Sequence, residues 1–288
     1  MSIPKIFLFF SVLIGSQLCL AQEMVFNESD QERLDELVAK HGANSSFENI
    51  SEIGTSFLGS PYVAHTIEGF QNEPLVLNFS AFDCTTFVEN SLSLYLLQYE
   101  LNLEEFTAKE DHLKTYAQLL ENIRYRNRER AGYTSRLHYF TEWIQNNEKK
   151  GYVFDITEDL GGSTIEKTLD FMSSHRSSYS ALEDDRIFED WVEIEKALNP
   201  MRFAVLGLDA IKTAAIEEGD IIAFATNIDG LDVTHTGIAI EKNKKIHLLH
   251  ASSSGSVVIS KKPLYKFAQG INRCTGIIIV RPALYDVF

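Results

Sequence analysis

The hydrophobic period changes once along this chain, near residue 200, and that change limits which folds are open to it. Upstream, apolar residues recur at helical spacing, as in "SDQERLDELVAKHGA" (29–43) and "TTFVENSLSLYLLQYELN" (85–102). Downstream come five short β-rich runs separated by turn residues: "GDIIAFAT", "THTGIAIE", "KIHLLHAS", "SVVISK" and "TGIIIVRP". Period 3.6 marks amphipathic helices, and short alternating or β-branched runs mark strands. Helices first and an antiparallel sheet last predict an α+β fold rather than alternating α/β.

Local signals refine the expectation. Ser29 with Glu32 three residues on is expected to cap the first helix, with Gly42 closing it. Residues 49–64 suggest a second short helix, and "PLVLNFS" (74–80) a strand. Residues 103–150 are expected to be largely helical, 151–164 a loop with Gly161-Gly162, and 165–199 helical again. No repeat or low-complexity linker interrupts the chain. Its 288 residues, 44% of them hydrophobic, suffice for one globular domain with a real core. The expected division is a targeting segment over 1–21 and one catalytic domain over 22–288, with a helical insertion at about 101–200.

The targeting segment has a positive start at Lys5, an apolar run, and a small residue at Ala21. That layout is a secretory signal, and the run is short for a stable span. The protein is expected to be exported, periplasmic or secreted, with lipid anchoring through Cys19 as the alternative. No second long apolar run follows, so no membrane span is expected. The net charge of −15 argues against nucleic-acid binding by bulk charge. Two cysteines outside the leader, Cys84 and Cys274, are too few for a disulfide scaffold but could pair. With no C-x-x-C and no dense His/Cys cluster, neither a metal nor another cofactor is expected.

The chemistry centres on "NFSAFDCTTFVEN" (78–90), where Cys84 stands at the start of a predicted helix. Unpaired N–H groups and the helix dipole favour an anion there, and so favour a thiolate nucleophile. The competing reading is a buried core cysteine. A nucleophile needs a base, and His235 is the candidate. It opens a strand run, and Gly237 and Ala239 on its face leave room for a substrate or another backbone. The residue that orients its ring depends on hairpin register. A two-residue turn at Lys242-Asn243 would pair His235 with His250; a three-residue turn centred on Asn243 would bring in His247 instead.

The ordered elements "GSPYVAHTIEG", "FDCTTFVEN", "GDIIAF", "THTGIAIE" and "IHLLHASSSGSVVIS" together resemble the NlpC-type papain-like cysteine amidases and peptidases. They are most similar to the N-acetylmuramoyl-L-alanine amidase-like subfamily. The resemblance covers about 54–90 and 219–262 and implies a papain-like core. It implies Cys84 as nucleophile, His235 as base and then acid, and His250 as the orienting residue. Tyr62 would line the cleft and Asp83 would contact substrate. Arg136 and His138, in "SRLHYFTEWI", could reach the cleft from the helical insertion; the alternative is an amphipathic helix with an aromatic core face. The implied activity is hydrolysis of the N-acetylmuramic acid–L-alanine amide in peptidoglycan or muropeptides. A monomer is expected. The alternatives are a γ-D-glutamyl–diamino-acid endopeptidase and a non-catalytic muropeptide-binding module.

Overall fold

A computed structural model describes residues 24–41, 49–70, 72–103 and 109–283. Residues 1–21, with Lys5, Cys19 and Ala21, and the expected cap Gly42 lie outside the described residues. A short parallel pair, β1 (Met24–Val25) and β2 (Leu75–Val76), brackets α1 (Glu28–His41) and α2 (Ile50–Thr55). Then come α3 (Cys84–Leu103), α4 (Lys109–Arg124) and α5 (Phe140–Lys149). Next are β3 (Val153–Asp155), β4 (Ser163–Lys167), α6 (Phe171–Ser174) and α7 (Asp185–Leu198). The C-terminal part holds β5 (Met201–Gly207), β6 (Ile221–Thr226), β7 (Val233–Lys242), β8 (Lys245–Ala251), β9 (Val257–Ile259), α8 (Leu264–Ala268) and β10 (Cys274–Pro282).

The strands form one sheet in the order β4-β5-β10-β6-β7-β8-β9, with β3 also pairing to β10. Every pairing within this sheet is antiparallel. Helices and sheet are largely segregated, as an α+β fold requires. Adjacent residues divide between two cores because strand side chains alternate faces. Ala223, Ile238, Leu249 and Ile278 face α2 and α3 in the larger core. Phe224, Ala239, Leu248 and Ile277 face α8 and the 208–216 segment in a smaller one. The sheet is thus covered on both sides, and β6 is buried along its whole length.

The long helix α3 runs through the larger core. Phe87, Val88, Leu92, Tyr95 and Leu96 are all nearly inaccessible to solvent, as are Ser91 and Ser93. A helix apolar on most sides packs on most sides. Its one buried acid, Glu89, accepts from Arg124 Nε at 2.7 Å, and Arg124 Nη1 donates to Val76 O at 2.9 Å. Among the described residues no helix is long and apolar enough to cross a membrane.

Several expectations change. Asn27, not Ser29, caps α1: its Oδ1 accepts from Asp30 N at 2.9 Å, and Asp30 Oδ2 accepts from Asn27 N at 3.1 Å. Ser29 Oγ donates to Asn27 Oδ1 instead. The 151–164 stretch carries β3 and the start of β4, and 165–184 is strand, short α6 and 3₁₀ turns rather than continuous helix. β4 is exposed along most of its length, so it lacks the alternation that betrays a strand. It exists because β5 lies beside it, and β5 itself was not expected.

Candidate active site

The N-terminus of α3 is fixed by a reciprocal cap. Asp83 Oδ1 accepts from Thr86 N at 2.7 Å and from Thr86 Oγ1 at 2.9 Å, while Thr86 Oγ1 accepts from Asp83 N at 3.0 Å. This is the capping-box arrangement with threonine in the third position. It makes Cys84 the first residue of the helix. The next strand over holds it there: Thr236 Oγ1 donates to the Cys84 carbonyl at 2.9 Å. Thr236 is 1% exposed, and it directly follows His235 in β7.

The hairpin of β7 and β8 sets the histidines. Its turn is Asn243-Lys244, both with positive φ (54° and 59°), so Lys242 pairs with Lys245 and Ile238 with Leu249. Two consecutive left-handed residues are the mark of a type I′ hairpin turn. The turn lies one residue later than the two-residue turn read from the sequence and has one residue fewer than the three-residue alternative. It still selects His250. A β-carbon placed on Gly237 would lie 2.9 Å from the His250 β-carbon, so His250 faces Gly237 and stands diagonal to His235 on the same sheet face. His235 Nε2 and His250 Nδ1 are 2.7 Å apart, with the rings edge-on at 84°. His247 points to the opposite face, cross-strand from Ile240, and its Nδ1 donates to Ser260 O at 2.8 Å.

A strap over residues 59–63 joins the two halves. Tyr62 N donates to Gly255 O at 2.8 Å, and Val257 N donates to Ser60 O at 2.8 Å, beside the end of β8. On its other edge Phe82 N donates to Pro61 O and Val63 N to Phe82 O, both at 3.0 Å. Tyr62 thus sits next to the Asp83-Cys84 turn. Burial, then the charges of Cys84 and Asp83, push its phenol above the ordinary value.

The electrostatics favour neutral groups at rest. Burial pushes the Cys84 thiol up, and the Asp83 carboxylate adds to this, against bonds from Thr236 and Thr85 that pull it back. The helix-start position alone predicted a thiolate; desolvation opposes it. Burial lowers His235 to about 3, with His250 contributing, and burial lowers His250 to about 4. His235 stacks over Phe224 at 5.9 Å, and Phe267 lies 5.0 Å from the His250 ring. Among the described residues the Cys84 thiol makes no hydrogen bond to a histidine; on β7 its partner is Thr236, which bonds the sulfur as well as the backbone carbonyl. Catalytic hydrogen bonds are commonly long before substrate binds.

Cys84 and Cys274 are both free, so the disulfide alternative is not formed. Cys274 Sγ donates to Gly276 O at 3.3 Å at the start of β10. Arg136 and His138 are not brought to Cys84. Arg136 is 3% exposed, donates to Glu68 Oε1 at 2.7 Å, and lies 4.9 Å from the Tyr133 ring centre. His138 packs between Tyr133 and Trp191, its Nε2 3.0 Å from Tyr133 O, and burial holds it well below the ordinary imidazole value. Both brace Tyr133 instead of reaching the cleft. Thr236, Phe224 and Phe267 were not singled out from the sequence. Only Thr236 carried a signal, its place between His235 and Gly237.

The fold has known counterparts. The chain is similar to a crystal structure of an N-acetylmuramoyl-L-alanine amidase from Bacteroides uniformis, with 36% identity, 82% of this chain and 97% of that chain covered, and a TM-score of 0.75. A Bacteroides fragilis protein with a provisional xylanase name matches at 36% identity over 80% of this chain and 99% of that one, with a TM-score of 0.73. A Legionella pneumophila protein shares the fold at 21% identity and a TM-score of 0.65, over 90% of this chain and 94% of that one. No curated protein matches the chain. The family described as AmiA-like, N-acetylmuramoyl-L-alanine amidase-like, matches residues 52–276, and the chain belongs to it.

Proposed function

We propose that the protein is an exported, cysteine-dependent amidase with a papain-like arrangement. Its substrate is the amide joining the lactyl group of N-acetylmuramic acid to L-alanine in muropeptides. The observation that carries this reading is the 2.7 Å bond between His235 Nε2 and His250 Nδ1. With Nε2 donating to His250, Nδ1 of His235 is left as the proton acceptor, one residue along β7 from the Thr236 that docks Cys84.

The reaction runs in two halves. As Sγ of Cys84 attacks the lactyl carbonyl carbon, its proton passes to His235 Nδ1. This transfer at the moment of attack suits a thiol held neutral by burial. The oxyanion faces the unpaired N–H groups at the start of α3, that of Cys84 included. The tetrahedral intermediate collapses, the C–N bond breaks, and His235 protonates the alanine nitrogen. Water then gives its proton to His235 and attacks the thioester, releasing the muramic carboxyl and restoring the thiol. Tyr62 lines the site beside the sulfur. The charge of Asp83 beside it makes this corner a contact for the stem peptide, in addition to its capping role.

A xylanase activity would need two facing carboxylates. Asp83, the carboxylate next to Cys84, is bound up as a helix cap, which disfavours that reading.

The test is mass spectrometry of products from defined muropeptides. The expected products are free stem peptides beginning at L-alanine, absent with Cys84→Ala at unchanged thermal stability. Cleavage after D-glutamate would redirect the assignment to the endopeptidase, and full activity of Cys84→Ala would sink the cysteine mechanism. The proposed export through residues 1–21 predicts a mature N-terminus near Gln22, or a lipid-modified Cys19, readable by N-terminal sequencing.

A further inference from the structure

The end of β7 remote from His235 carries a charge opposite to that of the whole chain. Residues 242–283 contain six lysines, Arg273 and Arg281, and no aspartate or glutamate, in a chain whose net charge is −15. Lys242, Lys244 and Lys245 stand at the tip of the β7–β8 hairpin. Lys261 and Lys262 lead into α8, and Lys266 lies on it. Lys212, from the 208–216 segment, meets the hairpin tip at a common pocket. All seven lysines are exposed.

These cations are held together without an answering charge. Lys242 and Lys245 face each other directly across the hairpin, and the turn between them adds Lys244. Like charges directly opposite are unfavourable in a strand pair. Lys212 Nζ and Lys266 Nζ each lie 5.9 Å from the centre of the same Tyr265 ring. Among the described residues the one lysine in an ion pair is Lys196, with Glu193, on α7. Nearby acids are engaged elsewhere: Glu217 pairs with Arg281 at 3.2 Å, and Glu218 accepts from Ser51 Oγ at 2.8 Å.

The pocket has a volume of about 430 Å³. Lys212, Lys244 and Lys245 rim it, and no acid lines it among the described residues. Its apolar wall, with Ile211, Ile246 and Leu264, is the edge of the smaller core. Tyr265 completes the lining, a ring with a polar tip that suits a boundary between apolar and aqueous phases. A small soluble anion would engage one or two of these cations and leave the apolar wall open. Seven lysines around an apolar opening match an extended anionic surface with an apolar layer beneath it. That is the chemistry of a bilayer carrying anionic phospholipids. We propose that this end of the molecule docks on such a membrane, with lipid phosphates against the lysines and the upper carbons of one acyl chain in the pocket. The acidic remainder of the chain is repelled by the same surface, so the protein docks one way round. His235 precedes Lys244 by nine residues, so the Cys84 corner stands up to roughly 30 Å from the lipid.

The experiment sediments the processed chain, beginning near Gln22, with vesicles of two compositions: phosphatidylcholine alone, and phosphatidylcholine with phosphatidylglycerol in equal parts. Binding to the anionic vesicles is expected to be at least about tenfold tighter and to fall with added salt. Lys212→Gln, Lys244→Gln and Lys245→Gln should each weaken it about fivefold, and the three together about a hundredfold. Removing the same charge elsewhere, by Lys114→Gln, Lys149→Gln and Lys196→Gln together, should change it by less than about twofold. Every replaced side chain is exposed, so all variants should fold as the wild type does. Equal binding to neutral and anionic vesicles, or equal losses in the two triple variants, would overturn the docking site. Poly-L-glutamate separates lipid from charge alone. Weaker binding to it than to the anionic vesicles supports the membrane, and binding as tight would overturn it.

Discussion

The Cys84 corner and the arginine-rich wall of the insertion are both buried and polar, yet they treat charge in opposite ways. In the wall every buried arginine meets a carboxylate: Arg124 with Glu89, Arg136 with Glu68 and Glu73. At the corner, burial keeps both imidazoles and the thiol uncharged. Paired buried ions hold architecture, and breaking one leaves its partner stranded. Buried neutral acids and bases can exchange a proton when a substrate supplies the reason. The contrast separates scaffold from chemistry better than residue type does, because Arg136 and His138 look as reactive in sequence as His235.

The sharpest way to break this comparison is His235→Ala. Removing the proposed base should lower kcat/KM on muropeptides by roughly 10²–10⁴-fold while urea denaturation moves little. The converse is Arg124→Met, which leaves Glu89 buried without its cation. It should cost about 3–5 kcal/mol in urea denaturation, and Arg124→Met with Glu89→Leu should recover much of that. A result with the two reversed would mean that the corner is scaffold and the wall is chemistry.

Between these lies Gly237→Ala. The added methyl would lie 2.7 Å from Leu249 O as well as against His250. The hairpin must shift, at about 1–3 kcal/mol, and the His235–His250 bond should be lost with it. Activity should therefore fall further than stability alone explains.

The smallest effect is in pH. The two histidines are held below the ordinary value of 6.5, to about 3 and about 4. Their neutral forms favour the fold, so this contribution is complete above pH 6.5 and is lost as pH falls from there toward 4 and then 3. His250→Gln should flatten the loss of thermal stability between pH 6.5 and 4. An unchanged slope would mean that His250 titrates normally.

What could be read in advance follows the same division. Cys84 at a helix start, and His235 at the head of a strand with Gly237 on its face, were legible because caps, periods and small residues are local signals. His250 over His247 was not, because the choice turns on one residue of register. Asn243 and Lys244 both adopt positive φ, and nothing in lysine advertises that conformation. β4 escaped because its strand character comes from pairing with β5, not from alternation. The buried contacts of Arg136 and His138 were not legible because their partners, Glu68 and Trp191, are distant in sequence. The opposing desolvation of Cys84 was illegible for the same reason, since it depends on what the fold stacks over the helix start.

The 59–63 strap has a consequence for how the molecule breathes. It is hydrogen-bonded to the Phe82 turn on one edge and to Gly255 and Val257 on the other. Neither half of the Cys84 corner can swing away without releasing the same five-residue yoke. The amides of Tyr62, Val63, Phe82 and Val257 should therefore exchange with solvent deuterium at one common rate, in a single shared opening event.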